Sequence, residues 1–192
     1  MKIEKVLYLV VKIDEDDVQA GDLSALVYFV DEISKAIASS EAMDLLDFLN
    51  YSSAEKIHIV QNYNKYGEIP ARLEDLKKGS AEIIVGISSG LLMWGLTTFL
   101  AKPIEAAWES SRGRDALVSY VRDRFFGGAE KATNQRLAEI PRKKKLSVSS
   151  VKVSKANNGQ IQKISIMLRR AEVEIVDRTD QDLLDEFVRR IS

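Results

Sequence analysis

The chain has 192 residues, 28 basic against 29 acidic side chains, 45% apolar residues, three prolines and no cysteine. That length fits one domain, or two small ones, and can bury a real core; balanced charge and ordinary apolar content exclude a disordered or collagen-like chain. Without cysteine there is no disulfide scaffold, zinc ribbon, iron–sulfur site or thiol catalysis, and one histidine cannot build a His₂ or His₃ metal site within the chain.

Residues 2–13 read as a strand. Val6, Tyr8 and Val10 face one way and Leu7, Leu9 and Val11 the other, so a central strand is expected. The run Val6–Val11 is shorter than the apolar region of a signal peptide, and the polar loop Asp14-Glu15-Asp16-Asp17 follows, so a cytoplasmic location is the expectation. Asp22 can cap a helix with Leu26, Phe29, Val30, Ile33 and Ile37 on one face, ending near Ser39-Ser40. A second short helix is expected over 41–50, with Met43, Leu46 and Leu49 on one stripe and Asp44 and Asp47 on another. Residues 56–60 make a short strand candidate, with a helix starting near 51–55 as the alternative. Asn62 to Gly67 is a turn cluster.

Beyond Pro70, residues 72–76 and the strand 80–86 suggest a β-hairpin. Residues 83–101 carry no charge over 19 positions, about the length needed to cross a bilayer core, and Gly86 and Gly90 have GxxxG spacing. Serines, threonines and glycines dilute this stretch, and its start reads as strand, so a stable membrane span is not expected. A strongly apolar helix over about 88–110, interrupted near Pro103, is expected instead. A helix over 112–126 should turn Leu117, Tyr120, Val121 and Phe125 inward and end at Gly127-Gly128, with one more short helix before Pro141. The pattern then alternates: strands over 146–154 and 161–169 joined at Asn157-Asn158-Gly159, a strand over 172–176, and a last helix capped by Thr179 or Asp180.

Together these elements predict an α+β fold, with a largely antiparallel sheet of about five strands and helices packed on one face. A single domain over 1–192 is expected, the alternative being a division into 1–128 and 146–192. The segment Leu76-Lys77-Lys78-Gly79-Ser80-Ala81-Glu82-Ile83-Ile84, with the apolar helix after it, resembles small uncharacterised bacterial α+β proteins that place a Gly-Ser strand ahead of a hydrophobic helix. The resemblance covers about thirty residues; it implies a bacterial or phage origin and brings no activity with it.

Chemistry-bearing motifs are sparse. There is no GxGxxG, no Walker A motif and no GxSxG elbow. His58 reads as a surface residue, and Asp14–Asp17 lacks the alternating ligands and central glycine of an EF-hand. Glu172 and Glu174 share a strand face and read as solvent-facing. Gly127-Gly128, following a helix, does not look like an anion site at a helix start. No enzyme, cofactor or metal is expected. The expected function is that of a non-enzymatic interaction module, binding itself or another protein through the apolar helix at Gly90, Trp94, Gly95 and Phe99. A helix apolar all round must be buried on every side or used at an interface.

Charge is unevenly spread. Residues 1–60 carry five basic and twelve acidic side chains, a net of −7, and residues 111–145 ten basic and four acidic, a net of +6. Such ends could meet head to tail in an oligomer. The alternative is nucleic-acid binding through Arg112, Arg114, Arg122, Arg124, Arg142, Lys143, Lys144 and Lys145; a further alternative is membrane action by residues 83–101.

Overall fold

The computed structural model describes residues 5–14, 18–66, 71–76, 81–89, 92–94, 105, 109–140 and 146–170. The fold is α+β. Its sheet contains β1 (Val6–Ile13), β2 (Ala71–Leu76), β3 (Glu82–Ser88), β4 (Leu146–Lys155) and β5 (Ile161–Arg170) in the order β2-β3-β1-β5-β4. The helices whose bounds fall among the described residues are α1 (Ala20–Phe48), α2 (Ser53–Tyr66), α3 (Ser111–Asp123) and α4 (Ala129–Glu139).

β1 lies in the middle, where a strand apolar on both faces belongs. The sheet is mixed, not antiparallel. β1 runs antiparallel to β3 and parallel to β5, while β2–β3 and β4–β5 are antiparallel hairpins. A period of two reports which residues share a face and carries no strand direction. The long connection between β1 and β5 supplies the crossover that parallel pairing requires. Four of the expected strands take part, Ala71–Leu76 adds the outer partner of β3, and the candidate strand 172–176 lies outside the described residues.

Register explains the core. Leu7, Leu9 and Val11 pair with Ile87, Val85 and Ile83 on one side, and Leu9, Val11 and Ile13 pair with Ile164, Ile166 and Leu168 on the other. All ten side chains are buried. α1 packs against β1 and β3, and α4 packs against α1 and touches β5. The opposite sheet face is more open, with Tyr8 exposed and Lys12 half-buried.

Three local expectations need correction. α1 is one helix of 29 residues, with no break at Ser39-Ser40: the Ser39 hydroxyl donates to the Lys35 carbonyl at 2.8 Å, so the polar side chain is satisfied without ending the helix. Its cap is Gln19. Asp22 stands in the third helical position and accepts the Gln19 backbone N–H at 2.9 Å. Residues 56–60 and most of the turn cluster after them are helical, in α2. Ser52 and Glu55 form its start, the Ser52 backbone N–H donating to Glu55 Oε2 at 3.0 Å and the Glu55 N–H reaching Ser52 Oγ at 3.4 Å.

The β4–β5 turn forms at the expected place. Gly159 has φ +79°, the only positive φ in that loop, and its N–H meets the Ala156 carbonyl at 2.9 Å. The Ala156 N–H closes on the Gln160 carbonyl at 2.8 Å, so this is the longer, bulged form of hairpin loop.

Candidate functional site

The site is built on one ridge of α1. Asp22, Leu26, Phe29, Ile33, Ile37, Glu41 and Leu45 follow at steps of three and four and are all buried. Five of these positions are apolar and suit the core; two carry carboxylates, Asp22 at 8% and Glu41 at 1% exposure, and a carboxylate needs partners to sit there. At Glu41, the backbone N–H of Phe126 faces the carboxyl and favours its ionised form. Its Oε1 meets no hydrogen-bond partner among the described residues. Burial and the like charge of Asp44 push the Glu41 carboxyl up to about 8.

Lys5 approaches from the start of β1. Its backbone is pinned to Ser89, the N–H donating to Ser89 Oγ at 3.0 Å and the carbonyl accepting the Ser89 N–H at 2.8 Å. Its Nζ is buried and also meets no hydrogen-bond partner among the described residues. Burial holds the Lys5 ammonium below the usual lysine range, opposed by attraction to Asp123 and Glu41.

The segment Arg124–Gly128 turns the chain from α3 into α4. Phe126, not a glycine, takes the left-handed backbone at φ 65°, a conformation that costs a residue with a side chain 1 kcal/mol or more, on the order of 1–3. Phe126 is buried, its ring 5.5 Å from that of Phe125. Gly127 N–H bonds the Arg124 carbonyl at 2.9 Å, and a Cβ on Gly127 would stand 2.9 Å from that same oxygen. Gly128 directly precedes α4, so the expectation that the glycine pair only follows a helix is corrected. A Cβ there would meet Ser40 Oγ at 2.9 Å and Asp44 Oδ2 at 3.3 Å. The bare backbone lets α4 start hard against α1.

A cleft of about 590 Å³ lies beside this turn, lined by Asp44, Asp47, Phe48, Tyr120, Asp123, Arg124, Gly127 and Gly128. The rings of Phe48 and Tyr120 lie 4.9 Å apart. Burial and the neighbouring Asp47 raise the Asp44 carboxyl, and burial with Glu41 and Asp44 raises the Tyr120 hydroxyl. Asp47 is bonded to Lys56, and Asp123 is held ionised by Arg122 and Ser119. Among the described residues no three His, Cys, Asp or Glu side chains converge to hold a metal ion.

The residues singled out from sequence fall elsewhere. Trp94 is described, with helical backbone and 68% exposure, beside fully buried Leu92. Gly90, Gly95 and Phe99 lie outside the described residues, as do Arg142, Lys143, Lys144 and Lys145. Arg112, Arg114, Arg122 and Arg124 are all exposed on or just after α3, and Arg122 is paired with Asp123 at 2.8 Å. His58 is exposed on α2, its ring 3.1 Å from the Asn62 amide. The apolar stretch 83–101 begins inside β3, and no helix among the described residues is long and apolar enough to cross a membrane. Part of the charge asymmetry is used within the chain: Arg136 on α4 pairs with Glu32 on α1, and Lys131 draws on Asp44.

Glu41 and Lys5 were not legible as a pair, being brought together only by the fold. A signal for Glu41 exists, however. It sits four residues after Ile37 and four before Leu45, on the apolar repeat once α1 is read as continuous. Comparison with known proteins finds no matching family model, no matching curated protein and no matching solved structure.

Proposed function

We propose that this protein is a non-enzymatic interaction module that associates with a second copy of itself or with another protein through the face bearing Trp94. The exposure of Trp94 carries the reading. A tryptophan that leaves 68% of its surface in water beside a fully buried leucine forgoes a large apolar gain, and tryptophan, with tyrosine and arginine, is enriched at the energetic centres of interfaces. The nucleic-acid reading ranks below it. Arg122 is committed to Asp123, and Arg124 shares its cleft with three carboxylates, which oppose a phosphate backbone.

Sedimentation velocity over a wide concentration range tests the proposal. The parent protein should associate as concentration rises, and Trp94→Ala should weaken that association at least about tenfold, the size expected of an interface centre. A parent that stays monomeric at the highest concentration removes self-association. Unchanged association in Trp94→Ala moves the interface away from this face.

A further inference from the structure

The cleft beside the turn Arg124–Gly128 holds two opposite charges that the fold leaves open. Of its three carboxylates, Asp47 is bonded to Lys56, and Asp123 to Arg122 and Ser119. Asp44 makes no hydrogen bond or ion pair among the described residues, although Lys131 attracts it. Arg124, the one cation among the described lining residues, makes none either. The two line one cavity without bonding each other. Phe48 and Tyr120 give that cavity an aromatic wall, and Gly127 and Gly128 add backbone without side chains. Tyr120 is 5% exposed yet lines the cavity, and its hydroxyl has no hydrogen-bond partner among the described residues. Asp44 and Arg124 both act on that hydroxyl. A polar atom so enclosed and unbonded is one that a ligand's polar group can satisfy.

We propose that this cleft binds a small zwitterion, an amino acid or short peptide with an aromatic or large apolar body, its ammonium on Asp44 and its carboxylate on Arg124. Charge selects this class. A simple cation is opposed by Arg124 and Lys131, and a simple anion by the three carboxylates; a zwitterion meets both open charges at once. The guanidinium offers a planar fork that matches a carboxylate. The Tyr120 hydroxyl can donate to that carboxylate or accept from the ammonium. The ligand's apolar body covers the Phe48 and Tyr120 rings. A volume of about 590 Å³ falls inside the range of roughly 300–1,000 Å³ usual for small-molecule sites. Trp94 is not among the lining residues, so this site and the Trp94 face stand or fall separately.

Amide chemical-shift titration of the full chain tests the site with four probes. Phenylalanine and the dipeptide phenylalanyl-alanine carry both charges; 2-phenylethylamine and 3-phenylpropanoate carry one each. At least one of the first two should shift the Gly127 and Gly128 amides and bind about tenfold or more tighter than either single-charge probe. The tighter of the two separates a free amino acid from a peptide end as the source. Asp44→Asn should weaken that zwitterion about tenfold or more and leave 3-phenylpropanoate unchanged; Arg124→Gln should weaken it likewise and leave 2-phenylethylamine unchanged. Both side chains are exposed, so neither substitution disturbs the core. No shift at the cleft from either zwitterion at about 10 mM overturns the proposal, as does a single-charge probe that binds as tightly as the zwitterions.

Discussion

Asp22 begins one apolar ridge on α1 and Glu41 stands near its other end, and the fold treats them in opposite ways. Both are buried, at 8% and 1% exposure. Asp22 receives Arg170 Nη2 at 2.7 Å and the Gln19 N–H at 2.9 Å, and these bonds hold its carboxyl below the usual aspartate range. Burial and the like charge of Asp44 push the Glu41 carboxyl up to about 8, against the weaker pull of the Phe126 N–H and Lys5. Burial is common to both ends; the number of donors is not. A carboxyl on a core ridge is thus an anchor where donors converge and a proton holder where they do not.

The largest expected effect tests the Glu41 end. Its carboxyl rises from 4.5 to about 8 on folding, so the stability it contributes is fully present below pH ~4.5 and lost as pH climbs through ~8. Glu41→Gln keeps the size and an acceptor for Phe126 and removes that loss. Near pH 7 the variant should be more stable than the parent by about 3 kcal/mol, shrinking towards nothing near pH 4. Urea unfolding at the two pH values reads it, and a variant weaker at both would break the comparison.

The Asp22 end should respond with the opposite sign. Asp22→Asn replaces a charge-assisted bond by a neutral one and should cost about 1–2 kcal/mol near neutrality. Arg170 keeps 35% of its side chain in water, which holds the figure at the lower end. Because the folded carboxyl lies below 3.8, its contribution is present above that value and lost as pH falls through the depressed one. Parent and variant should therefore converge only in strong acid. An Asp22→Asn protein as stable as the parent at neutral pH would show that Arg170 adds nothing beyond what water supplies.

The two ends also differ in how readily the sequence discloses them. Asp22 sits where a helix start is expected, and its acceptor role was legible, although the cap itself is Gln19. Glu41 is hidden by Ser39-Ser40, which read as a helix end; once the helix is broken there, the repeat Ile33, Ile37, Glu41, Leu45 no longer stands out. The apolar lattice of β1, β3 and β5 was visible in period-two alternation, and the Asn-Gly turn in its residue types. The parallel pairing of β1 with β5 was not, since alternation is the same in either direction. Nor was the meeting of Lys5 with Glu41, which depends on how β1 and α1 pack. Local chemistry is written locally, and a buried pair from two distant elements is not.

The smallest effect sharpens the contrast through two glycines, one at each end of the ridge. Gly21 lies in the first turn of α1 beside Asp22, and a Cβ there would meet nothing within 4 Å. Gly128 lies against Glu41's turn, with φ −86°, a backbone that alanine accepts, but with Ser40 Oγ and Asp44 Oδ2 in the way. Gly128→Ala should lower stability by about 1 kcal/mol, at the small end of overpacking, because the obstructing atoms are side-chain tips. It should also raise the opening rate of the turn in hydrogen exchange. Gly21→Ala should raise stability by about 0.5 kcal/mol, since alanine restricts the unfolded chain and meets no obstacle in the folded one. Paired urea unfolding curves measure both. If Gly128→Ala proves neutral, α4 can retreat from α1 without loss, and the crowding that keeps Glu41 dry is weaker than its burial suggests. If both substitutions stabilise equally, the two ends are packed alike, and only the hydrogen bonds to Asp22 and Glu41 distinguish them.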